Sequence, residues 1–370
     1  MLPKFVIAAS SRQRGRNSAA AVALSAAARA CAESGRATPV DNPEPVESGP
    51  MERSRRSAMG FTGRMGEMWT RRQLRAMGWS DARIARAAEE GVERLAHGVY
   101  GVRDDGAPQW ERDRDRVLAA ALTCEAVVSH ESAAVLHGIP FLRPDRHYVH
   151  FTIDRTSGGW KRRKQYVHAR PLPADQITIV DGVRVTSRCR TAVDIAMSGG
   201  LERGVCAFDA VRLVPRFPQP DDPGPIPLAE LQECLESLAR CRGGATARRA
   251  LELSVECSES AGESLSRVQM LTAGLPMPRL QTPHVIEEEL FYADFDWGTV
   301  TGEFDGRAKY GDEPEEINAA LAEEKRRHEL FAAAGIEVVR WRWRALNTAD
   351  GLRRLLLPAL ARGGLIEASA

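Results

Sequence analysis

Four carboxylates fall within one short stretch of the sequence, residues 293 to 310, which reads ADFDWGTVTGEFDGRAKY. They are Asp294, Asp296, Glu303 and Asp305. Asp is depleted in β-strands, and like charges that face each other across a sheet are destabilising. The stretch is therefore either an exposed hairpin with scattered acids or a site that holds a cation.

A turn within this stretch predicts how the acids are arranged. The dipeptide Gly298-Thr299 fits a two-residue type II′ turn, which has glycine in first place. Such a turn fixes the register, so that Asp296 faces Thr301 and Asp294 faces Glu303. The acids then share one side of the hairpin. The other side is apolar and carries Phe291, Ala293, Phe295, Trp297, Val300 and Phe304.

Two carboxylates that face each other across a hairpin have Cβ atoms about 5 Å apart and repel each other. Protonation of one of them, an inserted basic side chain or a bridging divalent cation would each remove the repulsion. Oxygen ligands at this spacing suit Mg²⁺ or Mn²⁺ better than zinc. The alternative of an exposed hairpin with scattered acids stays open, because any half-buried hairpin has one apolar face and one polar face.

The overall composition limits the possible classes of protein only loosely. A chain of 370 residues predicts two or three domains, and 43% hydrophobic with 27% charged residues is typical of globular proteins. The formal net charge of +1 gives no general attraction to nucleic acid, so DNA binding would need local clusters of basic residues. Seven cysteines without a CxxC pair indicate reduced thiols. We expect a cytoplasmic protein without a membrane span.

The first part of the chain, residues 1–64, differs from the rest. It is rich in Ala, Ser, Pro, Gly and Arg and poor in large apolar residues. Such a composition cannot bury enough surface to offset the entropy of ordering. Met51, Met59 and Met65 precede the first folding pattern. We therefore predict a disordered tail or a misplaced translation start.

Residues 65–105 carry the pattern of a winged helix-turn-helix. Two short helices, TRRQLRAMG and SDARIARAAEEG, end at Gly78 and Gly91, and the hairpin sequence VERLAHGVYGV follows. The second helix would enter a major groove, and the wing would lie near phosphates. The residues expected to contact DNA are Arg83, Arg86, Arg94 and His97. The alternative is a structural helical hairpin with solvated arginines.

The middle region, residues 106–215, contains the basic run GGWKRRKQYVHAR. Its DNA-binding candidates are Lys161, Arg162 and Arg163, interleaved with Trp160 and Tyr166. This mixture fits a hairpin that faces nucleic acid, although a solvated basic loop is the commoner meaning of such a run. A Pro-rich linker and a helical segment are predicted over residues 216–250.

Two histidines in the middle region, His130 and His137, lie seven residues apart and hence on one face of a predicted helix. This spacing alone would draw attention as a possible metal site. The pair has no third ligand in register, so helix capping and packing are the better interpretation.

From residue 65 to about residue 200 the sequence resembles the AbiEi-family antitoxins. The similarity starts in the predicted winged helix and continues through VVSHESAAVLHGIPFL and VRVTSRCRTAVDIA. It implies a DNA-binding head that represses transcription of a toxin–antitoxin operon. It also implies DNA and a cognate toxin as partners.

The C-terminal region is predicted to form a domain over residues 251–360, and from about residue 258 to residue 346 it resembles the Vsr-like domain of the PD-(D/E)XK nuclease superfamily. The matching blocks are GESLSRVQMLTAGLPMPRLQ, ADFDW, GEFDGRAKY and EEKRRHELFAAAGIEVVRWRW. The resemblance implies a mixed sheet flanked by helices, as in restriction endonucleases, and phosphodiester hydrolysis with Mg²⁺ or Mn²⁺. Asp294 and Glu303 take the two acidic positions of the motif, and Glu263 takes the acid of the upstream helix. These three would be the metal ligands.

One position departs from the superfamily pattern, because Asp305 stands where a lysine is expected. Lys325 on the following helix is the first candidate to replace that lysine, and Lys309 is the second. Lys325 also fits an ordinary ion pair with the acid four residues further on. Arg327 is a candidate phosphate ligand, and Arg340 would contact the DNA backbone beside the cleft.

The sequence as a whole predicts an α/β chain that is α+β overall. It leaves two classes of function open. The first is a DNA-binding protein with a metal-dependent endonuclease domain, of use in defence against phages or plasmids. The second is a non-enzymatic, antitoxin-like transcriptional repressor whose nuclease-like tail is inactive.

Overall fold

The computed structural model describes residues 68–87, 91–102, 106–306 and 314–367, except for the side chains of 314–321 and 324. The described residues belong to two compact units, whose limits are Met1–Ala126 with Asp181–Val183, and Val127–Val180 with Arg184–Ala370. Both contain helices and sheets, which confirms the α+β class. The predicted disordered tail over residues 1–64 and the candidate Lys309 lie outside the described residues. The predicted domain limits stay predictions.

In its described residues, the first unit joins a three-stranded antiparallel sheet to three helices, with strand order β1-β3-β2. The Thr70 side chain and Gln73 form a reciprocal capping box that starts α1, and Gly78, with positive φ, follows its end. Trp69, Leu74 and Trp79 are buried in a small core. The elements are β1 Met68–Thr70, α1 Arg71–Ala76, α2 Asp81–Ala87, β2 Val92–Ala96, β3 Val99–Val102 and α3 Gln109–Ala121.

The second unit begins with a mixed six-stranded sheet of order β6-β7-β5-β4-β9-β8. Strand β5 pairs with β7 in parallel and with β4 in antiparallel orientation. The two-residue turn between β6 and β7 is Arg163-Lys164, and both residues have positive φ. The elements are β4 Val127–Val128, α4 His130–His137, β5 Val149–Asp154, β6 Trp160–Arg162, β7 Gln165–Arg170, a 3-10 turn Ala174–Gln176, β8 Ile177–Val180 and β9 Val183–Thr186.

Three helices follow this sheet and enclose an apolar core. The long helix α5, Arg188–Arg212, is interrupted at Gly200, which has a φ of +81°. Helices α6, Leu228–Ser237, and α7, Gly244–Glu252, pack against it. The core is aliphatic for the most part, and Phe208 is among its fully buried side chains. The burial of this apolar surface fixes α5 as the central helix of the unit.

The C-terminal part of the second unit is a four-stranded mixed sheet of order β10-β11-β12-β13. Its first three strands are antiparallel, and β12 pairs with β13 in parallel. A core that includes Phe295, Trp341 and Leu356 lies between the sheet and its helices. The elements are α8 Ala261–Thr272, β10 Arg279–Ile286, β11 Glu289–Asp296, β12 Val300–Phe304, α9 Pro314–Ala333, β13 Glu337–Trp341, α10 Trp343–Leu346 and α11 Gly351–Arg362.

The register predicted for the 293–304 hairpin is confirmed. Asp296 pairs with Thr301, the Trp297 amide donates to the Val300 carbonyl at 2.9 Å, and Gly298 has a φ of +92°. The polar side of the hairpin is not exposed, however, since Asp296 and Thr301 are both buried. Each strand of this hairpin therefore has a buried residue on either face, as expected for the interior of a layered sheet.

Candidate acidic site in the C-terminal sheet

Glu263 lies in the first turn of α8, where the sequence places an N-cap serine three residues earlier. The Ser260 hydroxyl accepts from the Glu263 amide at 3.2 Å and donates to Glu263 Oε1 at 2.7 Å. The Glu259 amide donates to Glu263 Oε2 at 2.9 Å. The side chain is buried, and burial together with the nearby Asp294 charge raises the pKa of Glu263 to about 7.

Asp294 lies on β11, beside the end of β12. Its Oδ2 accepts a hydrogen bond from the Phe304 amide at 2.9 Å. Burial raises the pKa of Asp294, and the neighbouring Glu303 charge adds to the increase, against the opposing effect of the Phe304 hydrogen bond. The side chain is thus fixed by the backbone of the adjacent strand while its charged form is disfavoured.

Gln281 on β10 connects these two carboxylates. Its Nε2 lies 3.1 Å from Glu263 Oε2 and 3.4 Å from Asp294 Oδ1. The backbone of Gln281 has a φ of +49°, which is uncommon for a residue other than glycine and often marks a functional site. The Arg216 guanidinium donates to its Oε1. Sequence reasoning missed Gln281, because a single glutamine in a strand carries no distinguishing pattern.

Glu303 is surrounded by positive charge. Its Oε1 lies 2.6 Å from Arg327 Nη2, and its Oε2 lies 2.7 Å from Arg340 Nε. The parallel pairing of β12 with β13 sets Arg340 directly beside Glu303. Arg327 comes from α9 and also donates to the Tyr292 carbonyl at 2.9 Å. The charge repulsion expected between Asp294 and Glu303 is therefore relieved at Glu303 by basic side chains.

Lys325 lies away from the acids. Its side chain is 78% exposed, and its Nζ lies 3.7 Å from Glu329 Oε1, which is the ordinary ion pair that the spacing allows. Residues two apart on a helix lie on different faces. Because Arg327 contacts Glu303, Lys325 faces elsewhere. Asp305 pairs with Arg342, whose Nε lies 2.8 Å from Asp305 Oδ2.

Asp296 is separate from the acidic site, although it belongs to the same hairpin. Its Oδ2 lies 2.6 Å from Arg279 Nη2, and its Oδ1 accepts from the Gly298 amide at 2.7 Å. These contacts fix the turn at the end of β11. Asp296 is therefore a structural residue of the hairpin.

The DNA-binding candidates of the first unit lie on its surface. Arg83 and Arg86 are exposed on α2, and the Arg83 guanidinium lies 4.0 Å from the centre of the Trp79 ring. On the β2–β3 hairpin, Arg94 Nη2 lies 2.6 Å from His97 Nδ1. These residues belong to the two elements that the sequence analysis assigned to a recognition helix and a wing.

The basic candidates of the second unit lie on the β6–β7 hairpin and are exposed. Lys161 Nζ lies 4.1 Å from the centre of the Tyr166 ring, which is a cation–π contact. Arg162 ends β6, and Arg163 forms the turn. The predicted basic hairpin is present, with its charges directed to solvent.

Histidines, and not the acids, form the tightest group of possible metal ligands. Within the part of the chain that the structure describes, the trio His130, His150 and His168 has one ligand nitrogen each within 4.8 Å of the others. His137 is not part of this trio, since its Nε2 lies 2.7 Å from the Thr186 carbonyl oxygen. His137 is therefore hydrogen-bonded to the backbone, whereas His130 lies beside His150 and His168.

A comparison with known families gives one match. Residues 125–214 match the family model described as the AbiEi antitoxin C-terminal domain. This range contains both quoted blocks of the middle region, 127–142 and 183–196, and indicates a toxin–antitoxin or abortive-infection context. No curated protein matches the chain significantly. Among the described residues, no helix is long and apolar enough to cross a membrane. In its middle region the chain is similar to an AbiEi antitoxin domain.

Proposed function

We propose that this chain is a DNA-binding protein of a toxin–antitoxin or defence system whose C-terminal domain hydrolyses phosphodiester bonds with Mg²⁺ or Mn²⁺. One observation carries the proposal. The buried carboxylates of Glu263 and Asp294 come from a helix and a strand, share the Gln281 amide, and both have raised pKa values. Perturbed acids of this kind are common at catalytic sites.

The chemistry of this pair fits a hard divalent cation. Among the described residues, Glu263 and Asp294 form no ion pair, whereas Glu303 forms two. The raised pKa values indicate that hydrogen bonds compensate the two charged forms only in part, and a bound cation would supply further compensation. Mg²⁺ and Mn²⁺ prefer carboxylate oxygens. We therefore assign metal binding to Glu263 and Asp294, with Glu303 as a third ligand when it exchanges an arginine for the ion.

The arginines at Glu303 would hold the phosphate of the DNA. Arg327 and Arg340 are partly buried and present two guanidinium groups at the edge of the acidic site. Guanidinium groups bind phosphate through paired hydrogen bonds, and they stabilise developing negative charge. When bound, the metal would supply a water of lowered pKa. We assign the role of the missing superfamily lysine to Arg327 in preference to Lys325, because Arg327 contacts Glu303.

The first unit would act as the DNA-binding head. The order of two short helices and a hairpin, with exposed Arg83 and Arg86 on the second helix, supports a winged helix-turn-helix with α2 as recognition helix. The similarity of residues 125–214 to an antitoxin domain supports a cognate toxin as a further partner.

The proposal is tested by incubating plasmid DNA with the full chain and Mg²⁺ or Mn²⁺. We expect cleavage that requires the metal and falls by at least about 100-fold in Asp294→Asn and in Glu263→Gln. Asp222→Asn and Glu329→Gln are matched controls, because these acids lie in an exposed loop and on an exposed helix face. Equal cleavage by the controls and by the site variants would show that a contaminating nuclease is responsible.

A second candidate function has one observation in its favour. The two ion pairs of Glu303 already neutralise the acid that the superfamily uses as a metal ligand. A site held in this way suits a non-enzymatic repressor of the antitoxin type. Specific DNA binding without cleavage in any divalent metal would support the repressor over the nuclease.

A further inference from the structure

Three buried histidines from three different elements meet in the middle region. His130 starts α4, His150 lies on β5 and His168 on β7, with exposed fractions of 1%, 7% and 9%. The parallel pairing of β5 with β7 places His150 and His168 on the same face of the sheet, because their partners in register are Tyr166 and Thr152. The helix α4 packs against β5 and brings His130 to that face.

The rings are in direct contact. His150 Nδ1 lies 3.0 Å from His168 Nε2, and the rings of His130 and His168 stack with centroids 3.8 Å apart. Histidine ligands of one tetrahedral zinc ion, each with a bond of about 2.0–2.1 Å, have nitrogens roughly 3.3 Å apart. The 3.0 Å separation is a hydrogen-bond distance between His150 Nδ1 and His168 Nε2 and is also close to that value, so these two nitrogens, with Nε2 of His130, are the ligand atoms that we assign to the site.

Two imidazole nitrogens of the trio form no hydrogen bond among the described residues. Nε2 of His130 and Nε2 of His150 are buried and have no hydrogen-bond partner in the part of the chain that the structure describes. Buried polar atoms are almost always paired, because an unpaired one costs free energy. His130 also has a left-handed backbone, with a φ of +53°. This combination of unpaired nitrogens and backbone strain is the kind that functional sites carry.

The surroundings of the three imidazoles are largely protein. Burial is the main reason that the pKa of each of the three histidines is lowered. The Ser129 hydroxyl lies 2.9 Å from His130 Nδ1 and orients that ring. Asp194 Oδ2 lies 3.9 Å from the same nitrogen, which is too far for a hydrogen bond.

We propose that His130, His150 and His168 form a binding site for a divalent transition-metal ion, with Zn²⁺ as the foremost candidate. Three imidazole ligands favour Zn²⁺ and exclude Mg²⁺, which requires oxygen ligands. His168 also lines a surface pocket together with Trp160 and Lys161. The site lies in the antitoxin-like region and does not depend on the proposed nuclease activity.

The experiment uses the metal-free full chain and Co²⁺ as a spectroscopic substitute for Zn²⁺. We expect one equivalent of Co²⁺ to bind, with a visible absorption band and without the thiolate charge-transfer band that the cysteines would produce. His150→Gln and His168→Gln should each lower the affinity by more than the roughly 10- to 100-fold that loss of an outer-shell partner costs. His137→Gln is the matched control and should bind normally, because His137 is not part of the trio and its Nε2 lies 2.7 Å from the Thr186 carbonyl oxygen.

X-ray absorption of the Zn²⁺-loaded wild type gives a second readout that needs no variant. Three imidazole nitrogens at about 2.0–2.1 Å are expected. Sulfur scattering at about 2.3 Å, binding that both histidine variants retain, or no tight binding at all would overturn the proposal. Mg²⁺ should not compete with Co²⁺ here. Failure of Mg²⁺-dependent DNA cleavage therefore leaves this result unaffected.

Discussion

Replacement of Glu263 by glutamine should change how the stability of the protein depends on pH. The pKa of Glu263 is about 7 in the folded protein, against an ordinary value of 4.5. The folded state therefore holds this proton more tightly than the unfolded state does. The contribution of Glu263 to the free energy of unfolding is fully present below pH 4.5 and is lost as the pH rises through about 7.

The magnitude follows from the size of the shift. A difference of about 2.5 pH units, at 1.36 kcal/mol per unit, makes the charged carboxylate cost about 3 kcal/mol above pH 7. Glutamine does not have this cost, but it weakens the hydrogen bonds to Ser260 or to the Glu259 amide, at about 1 kcal/mol. We therefore expect Glu263→Gln to be more stable than the wild type by about 2 kcal/mol at pH 8. At pH 5 we expect it to be slightly less stable.

Urea unfolding of both proteins in EDTA, from pH 5 to pH 8, measures this difference in free energy. The difference between the two proteins isolates Glu263, because the other acids titrate in both. Glu329→Gln serves as control and should stay within about 0.5 kcal/mol of the wild type at every pH, since Glu329 is exposed. A difference between Glu263→Gln and the wild type that does not vary with pH would refute the assignment of a raised pKa to Glu263.

Three further predictions concern other parts of the molecule. Arg86→Ala should weaken DNA binding by about 1–3 kcal/mol in a salt-dependent binding assay, whereas Arg249→Ala, an exposed arginine of the second unit, should bind as the wild type does. Glu303→Gln should lower the free energy of unfolding by about 1–3 kcal/mol, because it leaves two arginines without their carboxylate; a gain in stability would contradict this. Gly262→Ala should cost about 1–2 kcal/mol in thermal melts, since a methyl group there would lie 1.9 Å from the Phe304 ring, and an unchanged melting temperature would show that the ring moves freely.

The sequence by itself predicted the features that depend on neighbouring residues. Gly298 fixed the register of the hairpin, and Gly78 marked the end of α1. Local turns and caps of this kind depend on the backbone preferences of a few adjacent residues, which a single sequence contains. The order of α1, α2 and the β2–β3 hairpin in the first unit follows from the same signals. The match of residues 125–214 supports the resemblance in the middle region.

The acidic site was predicted only in part. The sequence identified Glu263, Asp294 and Glu303, and the structure brings Glu263 and Asp294 to the same amide of Gln281. From the sequence, repulsion between Asp294 and Glu303 was expected. The structure instead neutralises Glu303 with Arg327, because a helix distant in sequence packs at that edge of the sheet.

Only the tertiary structure decided which side chains meet across long separations in the chain. His130 was interpreted from its spacing to His137, but its partners are His150 and His168, on two strands further along the chain. Their pairing depends on the parallel register of β5 with β7 and on the packing of α4. Local sequence patterns determine turns and the side of a helix or strand that is apolar. Which helices and strands pack together is determined by the burial of apolar surface between them, and the spacing of residues in the sequence does not reveal it.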